Sequence, residues 1–111
     1  MDGAAERKAR NEAIFREANE KIEAAREKLE LADAKTPFFC ECDDPHCRML
    51  VPLDLRDYET VRANPAAFLI ASGHSDSFST VVAEHDAYDV VEKEGAARRV
   101  ALETDPRSGD G

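Results

Sequence analysis

The chain of 111 residues predicts an α+β fold, with one long N-terminal helix followed by a small mixed domain built from β-hairpins. Residues 6–34 contain no Gly or Pro and are rich in Ala, Glu, Lys and Arg, which favours one continuous helix. The later sequence alternates short apolar stretches with turn residues, a pattern typical of short strands. We predict three parts: the helix at 1–36, the mixed domain at 37–103 and a disordered polar tail at 104–111.

Apolar residues recur at heptad spacing along the predicted helix. Phe15, Ile22 and Leu29 form one row, and Ala18, Ala25 and Ala32 form a second row three positions on. Such an a/d seam, with small residues in one row, favours close packing against another helix. We therefore expect self-association or a protein partner through this helix, with the first row as the interaction residues. The alternative is that the stripe packs against the chain's own C-terminal domain.

The elements of the mixed domain follow from turn and cap signals. Thr36-Pro37 ends the helix, because the residue before Pro disfavours α geometry. Asp54 is expected to cap a helix that Asn64-Pro65 ends, with Asp57 at the capping-box position. The remaining predictions are a hairpin of strands 38–42 and 48–53, a buried strand at 67–71, a loop at 72–76, a hairpin of strands 78–83 and 88–92, and a closing helix at 95–103.

All three cysteines of the chain fall within eight positions, as Cys40, Cys42 and Cys47. On an extended segment, side chains i and i+2 project to one side, so the first two sulfurs can meet at one point. The turn at 43–46 would bring Cys47 back opposite them. Soft thiolates select zinc or iron–sulfur over hard cations. A disulfide with one free thiol, or three buried structural thiols, are the alternatives to a metal.

The setting of the cysteines favours a ligand role over a nucleophilic one. Glu41, Asp43 and Asp44 surround the thiols with negative charge, which raises the pKa of a free thiol and blunts its reactivity. The domain is also small enough to need a staple. We therefore predict a structural zinc site, and we expect removal of the zinc ion to unfold at least the hairpin at 38–53.

Three thiolates and one imidazole are a common structural zinc set, so a histidine is expected as the fourth ligand. His74 is preferred because it follows Gly73 in a loop directly after a buried strand. His85 is the alternative, at a predicted hairpin turn. His46 ranks third because it adjoins Cys47, and adjacent residues seldom both reach one tetrahedral ion.

The cluster Cys-Glu-Cys-x4-Cys at 40–47 occurs together with the segment 58–68, a downstream Gly73-His74, the strand Tyr-x-Val-Val-Glu-Lys at 88–93 and the helical segment 10–20. In this combination the chain resembles a family of small uncharacterised bacterial proteins. The resemblance covers nearly the whole chain. It implies that the cysteine cluster pairs with the Gly-His loop, and it implies no particular activity.

The cysteines also resemble part of a second pattern, that of small domains that hold a [2Fe–2S] cluster with three cysteines and one histidine. Those domains open with Cys-x-Cys and continue with Cys-Asp-Gly-x-x-His. Here Cys47 is followed by Arg48-Met49-Leu50, so the second half of the pattern is missing. A [2Fe–2S] cluster is therefore the alternative cofactor to zinc.

Charge and hydropathy exclude several classes of partner. The net charge of −9 argues against nucleic acid, because phosphate binding needs a basic face. No apolar run reaches the roughly 18 residues of a membrane span, and the N-terminal residues are polar rather than signal-like. These observations predict a cytoplasmic protein with reduced thiols and no membrane association.

The sequence predicts a non-catalytic protein-interaction or regulatory module. A site closed by four protein ligands leaves no open coordination position, and no phosphate-binding glycine loop or nucleophile elbow is recognisable. The alternative is a thiol and zinc redox-responsive regulator, in which oxidation ejects zinc and frees the N-terminal helix. An enzyme is the least expected class.

Overall fold

The computed structural model describes residues 3–29, 35–42, 44, 46–74 and 78–107. Along the chain the elements are α1 (Ala4–Lys28), β1 (Thr36–Phe39), β2 (Leu50–Leu53), α2 (Leu55–Arg62), β3 (Ala67–Ala71), β4 (Ser79–Glu84), β5 (Tyr88–Lys93) and α3 (Gly95–Glu103). The predicted α+β fold, with its long N-terminal helix, is confirmed. None of the helices in the described ranges combines the length and the apolar character that crossing a membrane requires.

Two antiparallel sheets make up the β part of the fold. β1 and β2 pair as a hairpin, with Thr36 opposite Leu53 and Phe39 opposite Leu50. The second sheet has the order β3-β5-β4, so that β5 is central. β4 and β5 form the second predicted hairpin, in which Val82 has no residue opposite it and makes a bulge.

The core lies where the hairpin, α2 and β3 meet. Phe38 of β1 stacks on Tyr58 of α2, with ring centroids 4.3 Å apart. All five residues of β3 are buried, which explains why its sequence is apolar without alternation. Cys40 and Cys42 belong to the same buried cluster, each with 2% of its surface exposed. The cysteine segment is therefore part of the core.

The buried face of α1 is polar, which the heptad analysis did not predict. Its buried residues are Ala9, Glu12, Arg16, Asn19 and Glu23. Glu12 forms an ion pair with Lys93, both side chains being buried. Arg16 lies 4.3 Å from the ring centre of Phe68 and donates hydrogen bonds to two main-chain carbonyl groups, at 2.7 Å each. This face, packed on α3 and β1, fixes the helix to the rest of the domain.

The predicted interaction row lies beside this buried face. Phe15 is half-buried, with its ring centroid 6.0 Å from that of Phe39. Ile22 packs against the main core, while Leu29 caps the helix with 66% of its surface exposed. Phe15 and Ile22 thus contact the chain's own domain, as the alternative interpretation of the stripe states. Ala32 of the second row lies outside the described residues.

The prediction of a disordered tail from Thr104 onwards is wrong for residues 104–107. Asp105 is buried and pairs with Arg62 of α2. Arg107 donates hydrogen bonds to carboxylates of α1 and α2. The segment is polar because its partners are charged. Composition alone does not reveal partners from distant parts of the chain, so it predicts disorder here. Residues 108–111 lie outside the described residues.

Candidate metal centre

The structure brings Cys40, Cys42, Cys47 and His74 together. One potential ligand atom from each of these residues lies within 4.8 Å of each of the others. The Nδ1 atom of His74 is 3.5 Å from the sulfur of Cys40 and 3.9 Å from the sulfur of Cys47. The loop after β1 and the loop after β3 therefore meet at this group.

The spacing of these atoms fits one tetrahedral ion. With Zn–S bonds of about 2.3 Å and Zn–N bonds of about 2.0–2.1 Å, tetrahedral angles place two sulfurs about 3.8 Å apart and a sulfur and a nitrogen about 3.5 Å apart. The two distances from His74 Nδ1 to cysteine sulfurs lie close to the second value. The group could therefore bind a metal ion.

Main-chain hydrogen bonds hold the first two cysteines in place. The N–H of Cys40 donates to the carbonyl of Met49 at 3.0 Å, which continues the β1–β2 pairing by one residue. The N–H of Glu41 donates to the carbonyl of Leu69 at 2.6 Å and ties the segment to β3. Cys40 and Cys42 are thereby fixed between the hairpin and the second sheet.

A turn returns Cys47 to the other two cysteines, as predicted. The N–H of Cys47 donates to the carbonyl of Asp44 at 3.0 Å, and the side chain of Asp44 accepts the N–H of His46 at 2.9 Å. Hydrogen bonds of this kind, in which an Asp side chain accepts the main-chain N–H two residues on, are typical of tight turns. His46 itself is exposed on this turn.

A second turn presents His74. Its N–H donates to the carbonyl of Ala71 at 3.0 Å, and Gly73 has a φ of +83°, which favours glycine at the third position of a type II turn. The N–H of Ala71 donates to the sulfur of Cys40 at 3.1 Å. The end of β3 therefore contributes both the histidine and a hydrogen bond to one of the thiols.

The other two histidines lie elsewhere. Within the described ranges, the group with ligand spacing contains neither His46 nor His85. The ring of His85 stacks on Tyr88 with centroids 4.4 Å apart, and the main-chain N–H of His85 donates to the carbonyl of Tyr88 at 2.8 Å. The geometry thus favours His74 over the alternative fourth ligand.

The three cysteines are free thiols in this structure. Burial raises the pKa of Cys40 and of Cys42, although hydrogen bonds from the main chain of Ala71 and Asp44 act in the opposite direction. Without a cation these two thiols are therefore protonated and poor nucleophiles. A bound dication would stabilise the thiolate forms, since metal binding to cysteine displaces the proton.

Glu41 is a site residue whose role the sequence analysis missed. Its side chain is fully buried and accepts hydrogen bonds from Asn19 at 2.7 Å, from the hydroxyl of Tyr58 at 2.9 Å and from the N–H of Leu69 at 2.9 Å. Burial raises its pKa while these donors lower it. The signal was available, because a residue between two cysteines on an extended segment must project away from their sulfurs.

Glu41 connects the cysteine segment to three elements, since its three donors belong to α1, α2 and β3. Comparisons of the chain with protein-family models, with curated proteins and with solved structures found no match.

Proposed function

We propose that this chain is a small cytosolic zinc-binding protein in which Cys40, Cys42, Cys47 and His74 hold a structural zinc ion, and that it acts as a non-catalytic protein-interaction module. The observation that carries the proposal is the convergence of four ligand atoms within 4.8 Å of one another, from two loops that are distant in sequence. Three thiolates with one imidazole are a donor set that zinc prefers.

The compactness of the group supports a single ion over an iron–sulfur cluster. A [2Fe–2S] cluster divides its four protein ligands between two irons, so ligands on opposite irons stand farther apart than ligands on one ion. Here every ligand atom is within 4.8 Å of every other. Zinc is therefore the cofactor that this arrangement favours, and the cluster remains the alternative.

The location of the group supports a structural role. Its residues lie where the β1–β2 hairpin meets the end of β3, and two of its thiols belong to the main core. A domain of this size gains much from a metal staple, because zinc sites of this kind contribute about 10–16 kcal/mol of apparent binding free energy to folding. Four protein ligands also leave no position for a substrate, which supports a non-catalytic function.

Elemental analysis of the untagged protein, purified without chelator, tests the proposal. We expect a single zinc per chain, loss of that zinc in His74→Ala, and full retention in the matched variant His85→Ala. Iron with visible colour would instead establish the cluster. A protein that contains no metal, or that keeps its zinc in His74→Ala and loses it in His85→Ala, would contradict the assignment of these ligands.

One observation favours a redox-responsive role as a second candidate. Cys47 is partly exposed, whereas Cys40 and Cys42 are buried. A peroxide could oxidise the thiolates of Cys47 and Cys42 to a disulfide, with two electrons passing to the peroxide, which takes up two protons and leaves as water. Zinc would then lose two ligands. Rapid zinc release on addition of hydrogen peroxide, followed with a chromogenic chelator, would support this role, and retention of zinc would exclude it.

A further inference from the structure

Two of the three residues in the predicted interaction row, Phe15 and Ile22, pack within the domain, and only Leu29 of that row is largely exposed. A different surface is open. β4 lies at the edge of its sheet, and no described strand pairs with its outer side. Val81 and Val82 of this strand are 47% and 52% exposed. An exposed edge strand with apolar residues is a template for a further strand.

The bulge in β4 opens onto a groove between α2 and the second sheet. The groove has a volume of about 260 Å³ and is lined by Asp57 and Val61 of α2 and by Val82, Ala83, Tyr88 and Val90 of the sheet, among others. Bulges commonly re-aim a side chain, and Val82 at the bulge lines the groove. Val61 and Val90 are buried and make an apolar floor. The edge strand and the groove thus form one continuous surface.

The charge around the groove is negative. Asp57 lines it, and the described residues that line the groove include no Lys or Arg. Burial and the negative charges of Asp57 and Asp54 raise the pKa of Tyr88. The stacked rings of His85 and Tyr88 lie at the same groove. Such a setting complements a ligand with an apolar body and a positive charge.

From this combination we infer that β4 and the groove bind an extended basic segment of a protein partner. The segment pairs with β4 as an additional strand, inserts one large apolar side chain into the groove, and places Lys or Arg beside Asp57. Strand addition of this type derives its affinity from main-chain hydrogen bonds and its specificity from side-chain pockets. This inference rests on the proposed function, to which it adds the class of partner.

Two alternatives fit the surface less well. A groove of about 260 Å³ is smaller than the roughly 300–1,000 Å³ of sites that bury a drug-sized ligand or cofactor, and suits a single side chain. A second copy of this chain could also pair through β4, but each copy carries a net charge of −9, so that pairing is opposed by repulsion.

Fluorescence anisotropy with the zinc-loaded full chain tests the inference. The probe is a labelled synthetic peptide with a central Phe between Val and Thr residues and with Lys at both ends. We expect this peptide to bind, and we expect its affinity to fall at least about tenfold when Glu replaces Lys, when Ala replaces Phe, or when Pro on either side of Phe prevents strand pairing. No binding by the Lys peptide, or equal binding by the Glu peptide, would overturn the proposal.

Variants of the chain locate the binding surface. Val82→Arg should weaken binding by about tenfold or more, whereas the matched variant Ile14→Arg changes an apolar residue of α1 that is 64% exposed and should bind normally. Asp57→Asn leaves β4 unchanged, and it should weaken the binding of the peptide with Lys but not that of the peptide with Glu. Equal binding by Val82→Arg and Ile14→Arg would place the site elsewhere.

Zinc content, far-UV circular dichroism and sedimentation are measured on the same samples. A chain that holds one zinc and is folded, but binds no peptide, overturns this inference and leaves the metal assignment intact. A dimer of the native chain that Val82→Arg dissociates would show that a second copy occupies the strand, and would overturn the peptide assignment.

Discussion

The side chain of Asn19 pairs with the main chain of Phe39 as a neighbouring strand would. Its Nδ2 donates to the carbonyl of Phe39 at 2.9 Å, and its Oδ1 accepts the N–H of Phe39 at 2.8 Å. The same Nδ2 donates to the carboxylate of Glu41 at 2.7 Å. Because Phe39 and Glu41 flank Cys40, one side chain of α1 fixes the chain on both sides of the first cysteine.

Replacing Asn19 should therefore lower both the stability of the fold and the affinity of the site for its metal. Asn19→Ala leaves the N–H of Phe39 and the carboxylate of Glu41 each short of a partner, at a cost of about 2–4 kcal/mol in the free energy of unfolding. We also expect faster zinc loss to a chelator. Urea unfolding and chelator kinetics measure the two effects. Asn11→Ala, half-buried on the same helix, is the matched control, and similar losses in both variants would contradict a specific role for Asn19.

Removing the metal should disturb the core next to Tyr58. Phe38 stacks on Tyr58, and Cys40 and Cys42 belong to the same buried cluster. If zinc is structural, chelation frees the hairpin and ends this stacking. The chain has two tyrosines and no Trp, so in a Tyr88→Phe variant the tyrosine signal in near-UV circular dichroism arises from Tyr58 alone. We expect chelation to abolish that signal. A signal that survives complete metal removal would show that the core does not depend on the ion.

The sequence was sufficient where a local signal determines the structure. The cap at Asp54 accepts the N–H of Asp57 at 2.8 Å as predicted. The buried strand at 67–71 and the helix at 95–103 have the predicted bounds. The sequence also predicts the close approach of His74 to the cysteines, because His74 follows Gly73 in a loop at the end of a buried strand and is free to orient. The cap, the strand, the helix and the turn that presents His74 each depend on neighbouring residues along the chain.

The sequence was insufficient where a polar residue is buried by distant partners. A heptad pattern is defined by apolar residues, so the sequence predicts that the row of Phe15 is buried and gives no sign of the buried row that contains Arg16. The guanidinium of Arg16 is stabilised by the ring of Phe68 and by the carbonyl groups of Pro65 and Ala101. The two carbonyl groups lie 49 and 85 positions from Arg16 along the chain. No periodicity within α1 encodes them.

The buried ion pair between Glu12 and Lys93 should behave differently from an ion pair at the surface. Removal of one partner leaves a buried charge, and we expect Lys93→Met to cost about 3–5 kcal/mol of unfolding free energy. The double variant Glu12→Leu with Lys93→Met should recover part of that loss, because neither charge of the pair is then buried.

The pair of Glu6 and Arg99 serves as the matched surface control. Its side chains are 42% and 58% exposed, and Arg99→Ala should change the stability by about 1 kcal/mol or less. Chemical denaturation of all four forms gives the comparison. A double variant that is less stable than Lys93→Met alone would contradict the explanation that the buried charge of Glu12 destabilises the single variant.

Arg107 joins the C-terminal segment to a group of carboxylates. Its guanidinium donates to Glu20 at 2.7 and 3.0 Å, to Glu59 at 2.7 and 3.0 Å and to Glu23 at 2.8 Å. Burial and the neighbouring carboxylate of Glu59 raise the pKa of Glu23 to about 8. The hydrogen bonds from Arg107 lower the pKa of Glu59 to about 2. One cation thus holds one carboxyl group that is protonated at neutral pH and another that is ionised.

Glu23 should make the protein less stable as the pH rises through neutrality. Its pKa in the folded chain, about 8, is above the ordinary value of 4.5, so its stabilising contribution is complete below about pH 4.5 and is lost as the pH rises through about 8. Glu59, with its lowered pKa, has the opposite effect, and its contribution to stability changes only at acid pH.

Glu23→Gln keeps a neutral side chain at every pH. The amount by which its unfolding free energy exceeds that of the native chain should therefore increase from about pH 6 to 8. Urea unfolding of the zinc-loaded forms measures this difference. Glu17→Gln is the control, because Glu17 is exposed on the same helix. Parallel pH profiles for the native chain and Glu23→Gln would show that Glu23 is already ionised at neutral pH.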